Sequence, residues 1–233
     1  MKKRGILDFI SKSFEGVVKN PIILLPGLIV MVLAWIGVFL ATYARAEGVD
    51  YTNLILLVAV IALLAGFAIL YFGLGGLGMA KEIVENRKAK WKNISQYWNK
   101  FWQKYLGAVV VLILVFAVLA AIIFGLINLL GYVLVEWPLF IASMLLVLIG
   151  GLIGILFLLL PYFVLVTNKD VKESLKSCIK FAKKNYFPLL LLLIVFFVLN
   201  MVLSRVPYIG SLLGIVISAA ESIALMSFVI ERK

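Results

Sequence analysis

The chain has 233 residues, of which 65% are apolar and only 14% are charged, and its mean hydropathy is +1.17. These values exclude an ordinary soluble domain and are typical of polytopic membrane proteins. The formal net charge of +11 is therefore considered first as charge at a membrane surface.

Six stretches are each long enough to cross a hydrocarbon core, which takes about 20 helical residues. They cover residues 21–43, 52–80, 107–135, 138–167, 186–205 and 207–230. None alternates apolar and polar residues in the manner of a barrel strand, and open strands cannot satisfy their backbone in lipid. The sequence therefore predicts an all-α, polytopic integral membrane protein with six transmembrane helices. Because no small-residue cleavage site accompanies the first span, we expect it to be retained.

Three basic segments, each preceding a pair of spans, show helical periodicity. In ILDFISKSFEGVVKNP one face carries Ile6, Leu7, Ile10, Phe14, Val17 and Val18. In WKNISQYWNKFWQKY the corresponding face carries Trp91, Ile94, Trp98, Phe101, Trp102 and Tyr105. In DVKESLKSCIKFAKKNY it carries Val171, Leu175, Cys178, Ile179, Ala182 and Tyr186, and Phe181 falls off this face. Lysines on the remaining arc predict three amphipathic helices lying in the cytoplasmic membrane interface.

The aromatic residues of these segments predict a collar at the level of the lipid headgroups. The collar residues are Phe14, Trp91, Trp98, Trp102, Tyr105 and Tyr186. Each interfacial helix is followed by one span outward and one span back. Residues 1–233 are thus predicted to form one membrane domain of three helix-hairpin units, approximately 1–80, 81–167 and 168–233.

The second span ends in GLGGLG, residues 73–78, which matches the glycine pattern of dinucleotide-binding folds. That chemistry needs a preceding strand and a helix N-terminus, whereas these glycines end a membrane span. Close helix packing is the favoured interpretation, as it is for the glycine pairs of the fourth and sixth spans. The predicted packing glycines are Gly73, Gly75, Gly76, Gly78, Gly150, Gly154, Gly210 and Gly214.

The sixth span contains a carboxylate, Glu221. If Pro207 opens this helix, Glu221 lies about 21 Å from the outer end and roughly 14 Å from the inner end. Small and polar residues share its arc of the helix: Gly210, Ser211, Gly214, Ser218 and Ser222. No Lys or Arg lies at this depth in another span, so we expect the carboxyl to be protonated.

Two interpretations of Glu221, Ser218 and Ser222 stay open. In the first, the protonated carboxyl donates a hydrogen bond and fixes helix packing. In the second, it lines a wet cavity and binds a proton or cation during transport. Asn128 and Asn200, nearer the outer side, are candidate hydrogen-bonding partners between helices and equally candidates to line an outer vestibule. A water-filled cavity that reaches Glu221 would favour transport, and a dry, glycine-packed bundle would favour packing.

The distribution of basic residues predicts the orientation of the chain. Of the 22 Lys and Arg residues, 20 fall in residues 1–20, 81–105, 168–185 and 231–233, and only Arg45 and Arg205 fall in the opposite loops. Short basic loops stay cytoplasmic, so both termini are predicted inside the cell membrane, against its anionic cytoplasmic leaflet. No separate basic domain exists, so no nucleic-acid partner is predicted. The low glutamine content and the absence of histidine favour a prokaryotic, thermophilic source such as an archaeon.

The sequence offers little material for catalysis or metal binding. Cys178 is the only cysteine and there is no histidine, which excludes an internal disulfide and a Cys/His metal site. Cys178 is therefore interpreted as a small apolar residue on a helix face. Neither G-x-S-x-G nor H-E-x-x-H is present. We accordingly predict no catalytic residue, metal or cofactor.

Three segments, KNPIILLPG, ENRKAKWKNISQYWNKFW and LPYFVLVTNKDVKESLKSCIKFAKKNYFPLLLLL, resemble one six-span family over nearly the whole chain. That family includes the membrane domain of some bacterial glycerophosphoryl diester phosphodiesterases and several uncharacterised archaeal and bacterial membrane domains. Because the phosphodiesterase members carry a separate soluble catalytic domain, the resemblance implies a fold and a membrane role but no activity. We expect a non-enzymatic protein that organises lipid or recruits a partner, either another protein or a second copy. The alternative is a small carrier or channel that uses Glu221.

Overall fold

The computed structural model describes residues 5–46, 51–131, 136–203, 205–206 and 209–233. Within these ranges the backbone is almost entirely helical and contains no strand, which confirms the all-α prediction for this part of the chain. A short 3₁₀ turn, Pro21–Leu24, leads into the second helix. The α-helices are α1 (Ile6–Lys19), α2 (Leu25–Ala46), α3 (Tyr51–Val84), α4 (Lys92–Gly131), α5 (Glu136–Leu158), α6 (Leu160–Thr167), α7 (Val171–Lys184), α8 (Tyr186–Leu203) and α9 (Gly210–Arg232).

Six of the described helical segments are long and apolar enough to cross a membrane, judged by length and composition. They are Pro21–Ala46, Val58–Val84, Lys92–Gly131, Pro138–Thr167, Tyr186–Leu203 and Gly210–Arg232. Each predicted span falls largely within one of them, and together they fit a multi-pass membrane protein. Pro207, the predicted start of the last span, lies outside the described residues, and α9 begins at Gly210.

The second basic segment differs from its prediction because it is not a separate helix. It continues without a break into the third span, so that α4 has 40 residues, whereas α1 and α7 are separate helices of 14 residues. Pro21 and Pro188 follow the ends of α1 and α7, and no proline lies between Lys92 and Gly131. Proline disfavours helical conformation in the residue before it and removes a backbone donor, so α4 lacks the signal that ends the other two helices.

Helices α1 and α7 end in the same way. The side-chain amide of Asn20 donates to the Gly16 carbonyl at 3.3 Å, and that of Asn185 donates to the Phe181 carbonyl at 3.1 Å. Each bond satisfies a carbonyl near the end of its helix. When the two helices are aligned on these asparagines, the buried positions coincide: Phe9 with Ser174, Ser13 with Cys178, Gly16 with Phe181, and Val17 with Ala182.

The arc that each helix turns toward the protein coincides only in part with the predicted apolar face, which it shares at Val17 in α1 and at Cys178 and Ala182 in α7. Leu7 and Val18 belong to that face in α1, yet each is 79% exposed, whereas Phe9 lies outside it and is 2% exposed. Phe181, predicted to fall off the face of α7, is buried and packs edge-on against Phe163 with ring centroids 5.2 Å apart. Small residues decide the buried arc of α1, because they let helices approach closely.

The fourth span is interrupted at Leu159, between α5 and α6. Pro161 has no N–H and therefore cannot bond the carbonyl one turn earlier in the helix. Two side chains donate to carbonyls of α5: Cys178 Sγ to Leu156 at 3.4 Å and Tyr186 Oη to Leu152 at 3.0 Å. Cys178 thus sits buried on a helix face, as the sequence suggested.

Contacts between helices divide the chain into two compact units. The first unit comprises residues 1–102 and 192–232, and in it α9 packs against α1, α2 and α3. Its buried side chains include Phe9, Leu74, Met79, Ile94, Phe196, Ile217, Met226 and Phe228. The division into three helix-hairpin units, which follows the repeat along the sequence, stays a prediction.

The second unit comprises residues 103–191 together with Lys233. In it α7 packs against α5 and α6, and its buried side chains include Leu159, Leu160, Phe163, Val164, Leu165 and Leu189. Lys104 Nζ donates to the carbonyl of Asn168 at 2.8 Å, and Asn168 ends α6 in the left-handed conformation with φ of 55°. An asparagine there satisfies the turn with little strain.

Candidate functional site

Glu221 is the central residue of α9, about 16 Å of helix from either end. Its side chain lines a pocket of about 510 Å³ with five residues of α8, hereafter the Glu221 pocket. The five are Leu193, Phe196, Phe197, Asn200 and Met201. Asn200 is the polar member of this set. Among the described residues, none forms a hydrogen bond or ion pair with the Glu221 carboxyl, which is half-buried.

A second cavity of about 620 Å³, hereafter the serine cavity, lies between α2, α3 and α9 in the first unit. From α9 come its small and polar residues Ser211, Gly214, Ser218 and Ser222, together with Ile215 and Ala219. From α2 come Pro26, Gly27 and Val30, and from α3 come Ile69, Phe72, Gly73, Gly76 and Leu77. The cavity is therefore apolar on two sides and carries hydroxyl groups on the third.

The structure separates Glu221 from the two serines that the sequence groups with it. Ser218 and Ser222 line the serine cavity, whereas Glu221 lines its own pocket against α8. Glu221 and Ser222 point in different directions because successive helical residues are rotated by about 100°. Ser218, three residues before Glu221, is rotated from it by only about 60°. The Ser222 hydroxyl donates to the Ser218 carbonyl at 3.0 Å, within α9.

Asn200 is the residue that the two cavities share, because it lines both. Its Oδ1 is 3.9 Å from the position that a Cβ on Gly214 would take. Asn128, the other predicted interhelical partner, donates instead to the Phe124 carbonyl of its own helix at 2.8 Å. Asn200 lies near Glu221, because both residues line the Glu221 pocket.

The four glycines of GLGGLG face two different neighbours. Gly73 and Gly76 line the serine cavity. Gly75 and Gly78 face the first turns of α4, where a Cβ on Gly75 would lie 2.7 Å from Ile94 Cγ2 and a Cβ on Gly78 would meet the Tyr97 ring. Gly75 and Gly78 therefore allow α3 to pack closely against α4, whereas Gly73 and Gly76 leave open space in the serine cavity.

The remaining predicted packing glycines differ in how closely their neighbours approach. In the second unit, a Cβ on Gly150 would meet Ile123, and one on Gly154 would lie 2.7 Å from Phe116 Cε1. In the first unit, Gly210 is buried and Gly214 is half-buried. Gly27, which was not among the predicted packing glycines, is packed more tightly than Gly214, because a Cβ on Gly27 would lie 2.8 Å from Ile215 Cγ2 and one on Gly214 would lie 3.9 Å from Asn200 Oδ1. A glycine one residue after Pro26 was the available signal.

The collar residues of the first unit form two aromatic groups. Trp98 contacts Tyr71, Phe67 and Trp102, with ring centroids 5.1, 5.6 and 6.4 Å apart. Trp91 belongs to the same group, because it lies 6.3 Å from Phe72, whose ring is 5.2 Å from that of Tyr71. In the second group Phe14 stacks on Phe196 at 6.4 Å. Trp91 and Trp102 remain 49% and 40% exposed. In the second unit Tyr105 is buried and Tyr186 is half-buried.

Several residues that position these elements were missed by the sequence analysis. Phe9 packs edge-on against Phe228 with ring centroids 5.5 Å apart, and the Arg232 guanidinium lies 4.7 Å from the Phe228 ring. Asn86 has φ of 59° and ends α3, with Arg87 N donating to the Glu82 carbonyl at 2.8 Å. An asparagine just after an apolar run is the usual signal for such a helix end.

The described residues contain no group of three or more His, Cys, Asp or Glu side chains that could hold a metal ion. Burial raises the pKa of the Cys178 thiol to about 12. A thiol that stays protonated at neutral pH is a poor nucleophile and a poor metal ligand.

The sequence matches the family described as Domain of unknown function (DUF7847) over residues 5–231. Comparison with curated proteins gives no match, and neither does comparison with solved structures. The resemblance to the membrane domain of glycerophosphoryl diester phosphodiesterases therefore stays a prediction.

Proposed function

The chain belongs to the DUF7847 family, and we propose that it is a non-enzymatic membrane protein that binds lipid in its serine cavity. The observation that carries this proposal is the lining of the cavity. Its walls are apolar apart from Asn200 and the three serines, and no ionisable side chain of a described residue lines it. Apolar walls with a few hydrogen-bonding groups suit an acyl chain that bears an ester or hydroxyl group.

The size of the serine cavity supports the same conclusion. A volume of about 620 Å³ falls within the range of about 300–1,000 Å³ that is typical of small-molecule sites. A lipid gains little hydrophobic free energy by leaving the bilayer for this cavity, because both environments are apolar. Selectivity would therefore come from the fit of the chain and from hydrogen bonds to Asn200 and the serine hydroxyls.

The surface of the first basic helix supports a role at the lipid interface. Leu7 and Val18 lie on one face of α1 and are 79% exposed, and Lys12 and Lys19 are exposed on the same helix. We propose that this face contacts the anionic cytoplasmic leaflet, with both termini inside the cell. The support is the same distribution of basic residues, 20 of 22 in one set of loops.

A small solute or ion carrier is the second candidate function. It is favoured by Glu221, whose carboxyl has no hydrogen-bond or ion-pair partner among the described residues. Asn200, which lines both the Glu221 pocket and the serine cavity, would connect the acid to the larger space. An intramembrane carboxyl in such a position is a common element of ion pathways.

Filling the serine cavity tests the lipid proposal. Gly76 lines the cavity and has space for a side chain, because its Cβ would lie 3.9 Å from Pro26 Cβ. Gly66, on the same helix, has no neighbouring atom within 4 Å and is a matched control that does not line the cavity. We expect Gly76→Leu to lose lipid that wild type and Gly66→Leu retain after purification in mild detergent, measured by native mass spectrometry. Equal lipid retention by all three proteins would reject the proposal.

A further inference from the structure

A third cavity, hereafter the basic cavity, has a volume of about 640 Å³ and lies in the first unit. It is bounded by α1, by the turn that follows α3, and by the last turns of α9. Its charged lining residues are Lys12, Glu15, Lys19, Arg87, Lys88 and Glu231. Positive charge exceeds negative charge in this lining, in contrast to the serine cavity.

The turn after α3 brings two of these basic residues to the cavity. Asn86 adopts the left-handed conformation, and the backbone N–H groups of Asn86 and Arg87 donate to the carbonyls of Ile83 and Glu82 at 3.0 and 2.8 Å. This pair of bonds is the Schellman arrangement, which reverses the chain over the end of its helix. Arg87 and Lys88 are thereby placed beside α1.

A hydrogen bond fastens this turn to the end of α1. The Ala89 N–H donates to Asn20 Oδ1 at 3.4 Å, while the amide nitrogen of Asn20 holds the Gly16 carbonyl. Asn20 itself lines the basic cavity. The Asn20 side chain therefore joins two sides of the cavity. These bonds hold the basic residues of the turn in a fixed position relative to those of α1.

The acidic groups around the cavity are already engaged. Glu15 forms a salt bridge with Lys19, and the Ser227 hydroxyl donates to Glu231 at 3.1 Å. The Lys19 ammonium holds the pKa of the Glu15 carboxyl below its usual range, mainly through the hydrogen bond that Lys19 donates to Glu15. Glu82 and Glu85, beside the cavity, pair with Arg87 in the same way. The positive charge of the lining that has no paired carboxylate therefore lies on Lys12 and Lys88.

Two lysines of the lining have amines that no carboxylate or hydrogen-bond acceptor of the described residues binds directly, although Lys12 lies close enough to Glu15 to help lower the pKa of its carboxyl. Neither Lys12 nor Lys88 forms a hydrogen bond or salt bridge with any described residue, and both are exposed at the cavity. The Arg87 guanidinium contacts Glu85 at 3.1 Å and Glu82 at 3.6 Å, which leaves some of its five N–H donors available.

We propose that the basic cavity binds a phosphate group, carried by a lipid headgroup or by a small soluble compound. Lys12 and Lys88 would supply charge-assisted hydrogen bonds to its oxygens, and Arg87 would add a planar pair of donors. Phe9, Ile83, Val84 and Ile223 form the apolar part of the lining. Phosphate binding in the basic cavity does not depend on lipid binding in the serine cavity, because the two cavities share no lining residue.

The test removes the two free amines with Lys12→Gln/Lys88→Gln. The matched control is Lys172→Gln/Lys176→Gln, which changes net charge equally at two exposed lysines of α7 that do not line the basic cavity. The full chain in neutral detergent is titrated with inorganic phosphate, followed by calorimetry, and separately with phosphatidic acid or phosphatidylcholine, followed by native mass spectrometry. Thermal unfolding of each variant shows that the fold is kept.

We expect wild type and the control to bind phosphatidic acid in preference to phosphatidylcholine, or to bind inorganic phosphate. The double variant should bind at least about tenfold more weakly, because both amines that form charge-assisted hydrogen bonds with the phosphate are removed. Binding of phosphatidic acid alone identifies a lipid headgroup, and binding of inorganic phosphate identifies a site open to soluble compounds. The proposal is overturned if neither probe binds wild type, or if the double variant binds as tightly as the control.

Discussion

Ile94 of α4 occupies the space beside Gly75 of α3, where a Cβ would lie 2.7 Å from Ile94 Cγ2, 2.8 Å from Cγ1 and 3.0 Å from Cβ. The Ile94 Cβ is fixed to its backbone, so a rotamer change cannot relieve all three contacts. The glycine therefore sets the distance between the two helices at this point.

Gly75→Ala is expected to destabilise the protein, although alanine is the better helix former. Overpacking costs about 1–3 kcal/mol and exceeds the gain of about 1 kcal/mol in helix propensity. Gly66→Ala on the same helix meets no atom within 4 Å and should be neutral or stabilising. Thermal unfolding in detergent compares the two variants. If Gly75→Ala is as stable as Gly66→Ala, the packing role of Gly75 is wrong.

Asn86 should tolerate glycine but not a branched side chain. Its φ of 59° is strained for most L-residues, by roughly 1–2 kcal/mol, and glycine carries no such penalty. We expect Asn86→Gly to keep or raise the unfolding temperature and Asn86→Val to lower it. Asn128→Val is the control, because Asn128 is also exposed but lies inside α4, where its side chain donates to the Phe124 carbonyl. Equal effects of the two valine substitutions would contradict the argument.

Cys178 should not react with alkylating reagents in the folded protein. The residue is fully buried, and burial raises the pKa of its thiol from 9.0 to about 12. Mass spectrometry after treatment with iodoacetamide at pH 8 should show modification only when denaturant is present. Because the folded pKa is the higher one, the thiol also favours unfolding as pH rises above about 9. Rapid alkylation without denaturant would show that α7 does not hold Cys178 in its buried position.

Glu221→Gln separates the two interpretations of the acid. Glutamine keeps the shape and hydrogen-bonding capacity of a protonated carboxyl, so stability should change by less than about 1 kcal/mol in either case. If Glu221 serves transport, proton or cation flux into liposomes is lost in the variant, whereas Thr42→Ala, at an exposed position that lines neither cavity, keeps it. If Glu221 serves packing, wild type itself shows no flux above protein-free liposomes. A large loss of stability would contradict both interpretations.

The orientation of the chain is tested by cysteine labelling in a Cys178→Ser background. An impermeant maleimide added outside intact cells should modify cysteines placed near Glu47 and Glu136, and none placed near Lys88 or Lys176. The reason is the cytoplasmic preference of short basic loops. Glu47 lies outside the described residues, so this prediction depends on the sequence alone. The reverse labelling pattern would reject the predicted topology.

The sequence by itself determined the helical class and the number of apolar helices. These properties depend on the length and composition of each segment, because a helix satisfies its own backbone and about 20 apolar residues span the hydrocarbon core. The ends of α1 and α7 were also readable, since Pro21 and Pro188 limit the preceding helices. The continuation through α4 could have been predicted from the absence of such a proline.

Only the tertiary structure decided which arc of each helix meets another helix. The apolar face of α1 predicted from periodicity includes the exposed Leu7 and Val18, and omits the buried Phe9. Periodicity cannot make this choice in a membrane protein, because lipid and protein interior are both apolar and either accepts an apolar arc. Small residues such as Gly16 and Gly75 decide where helices approach, and that depends on which residues of a neighbour face them. Tertiary packing also decided that Glu221 lines a pocket against α8, while the adjacent Ser222 lines a cavity against α2 and α3.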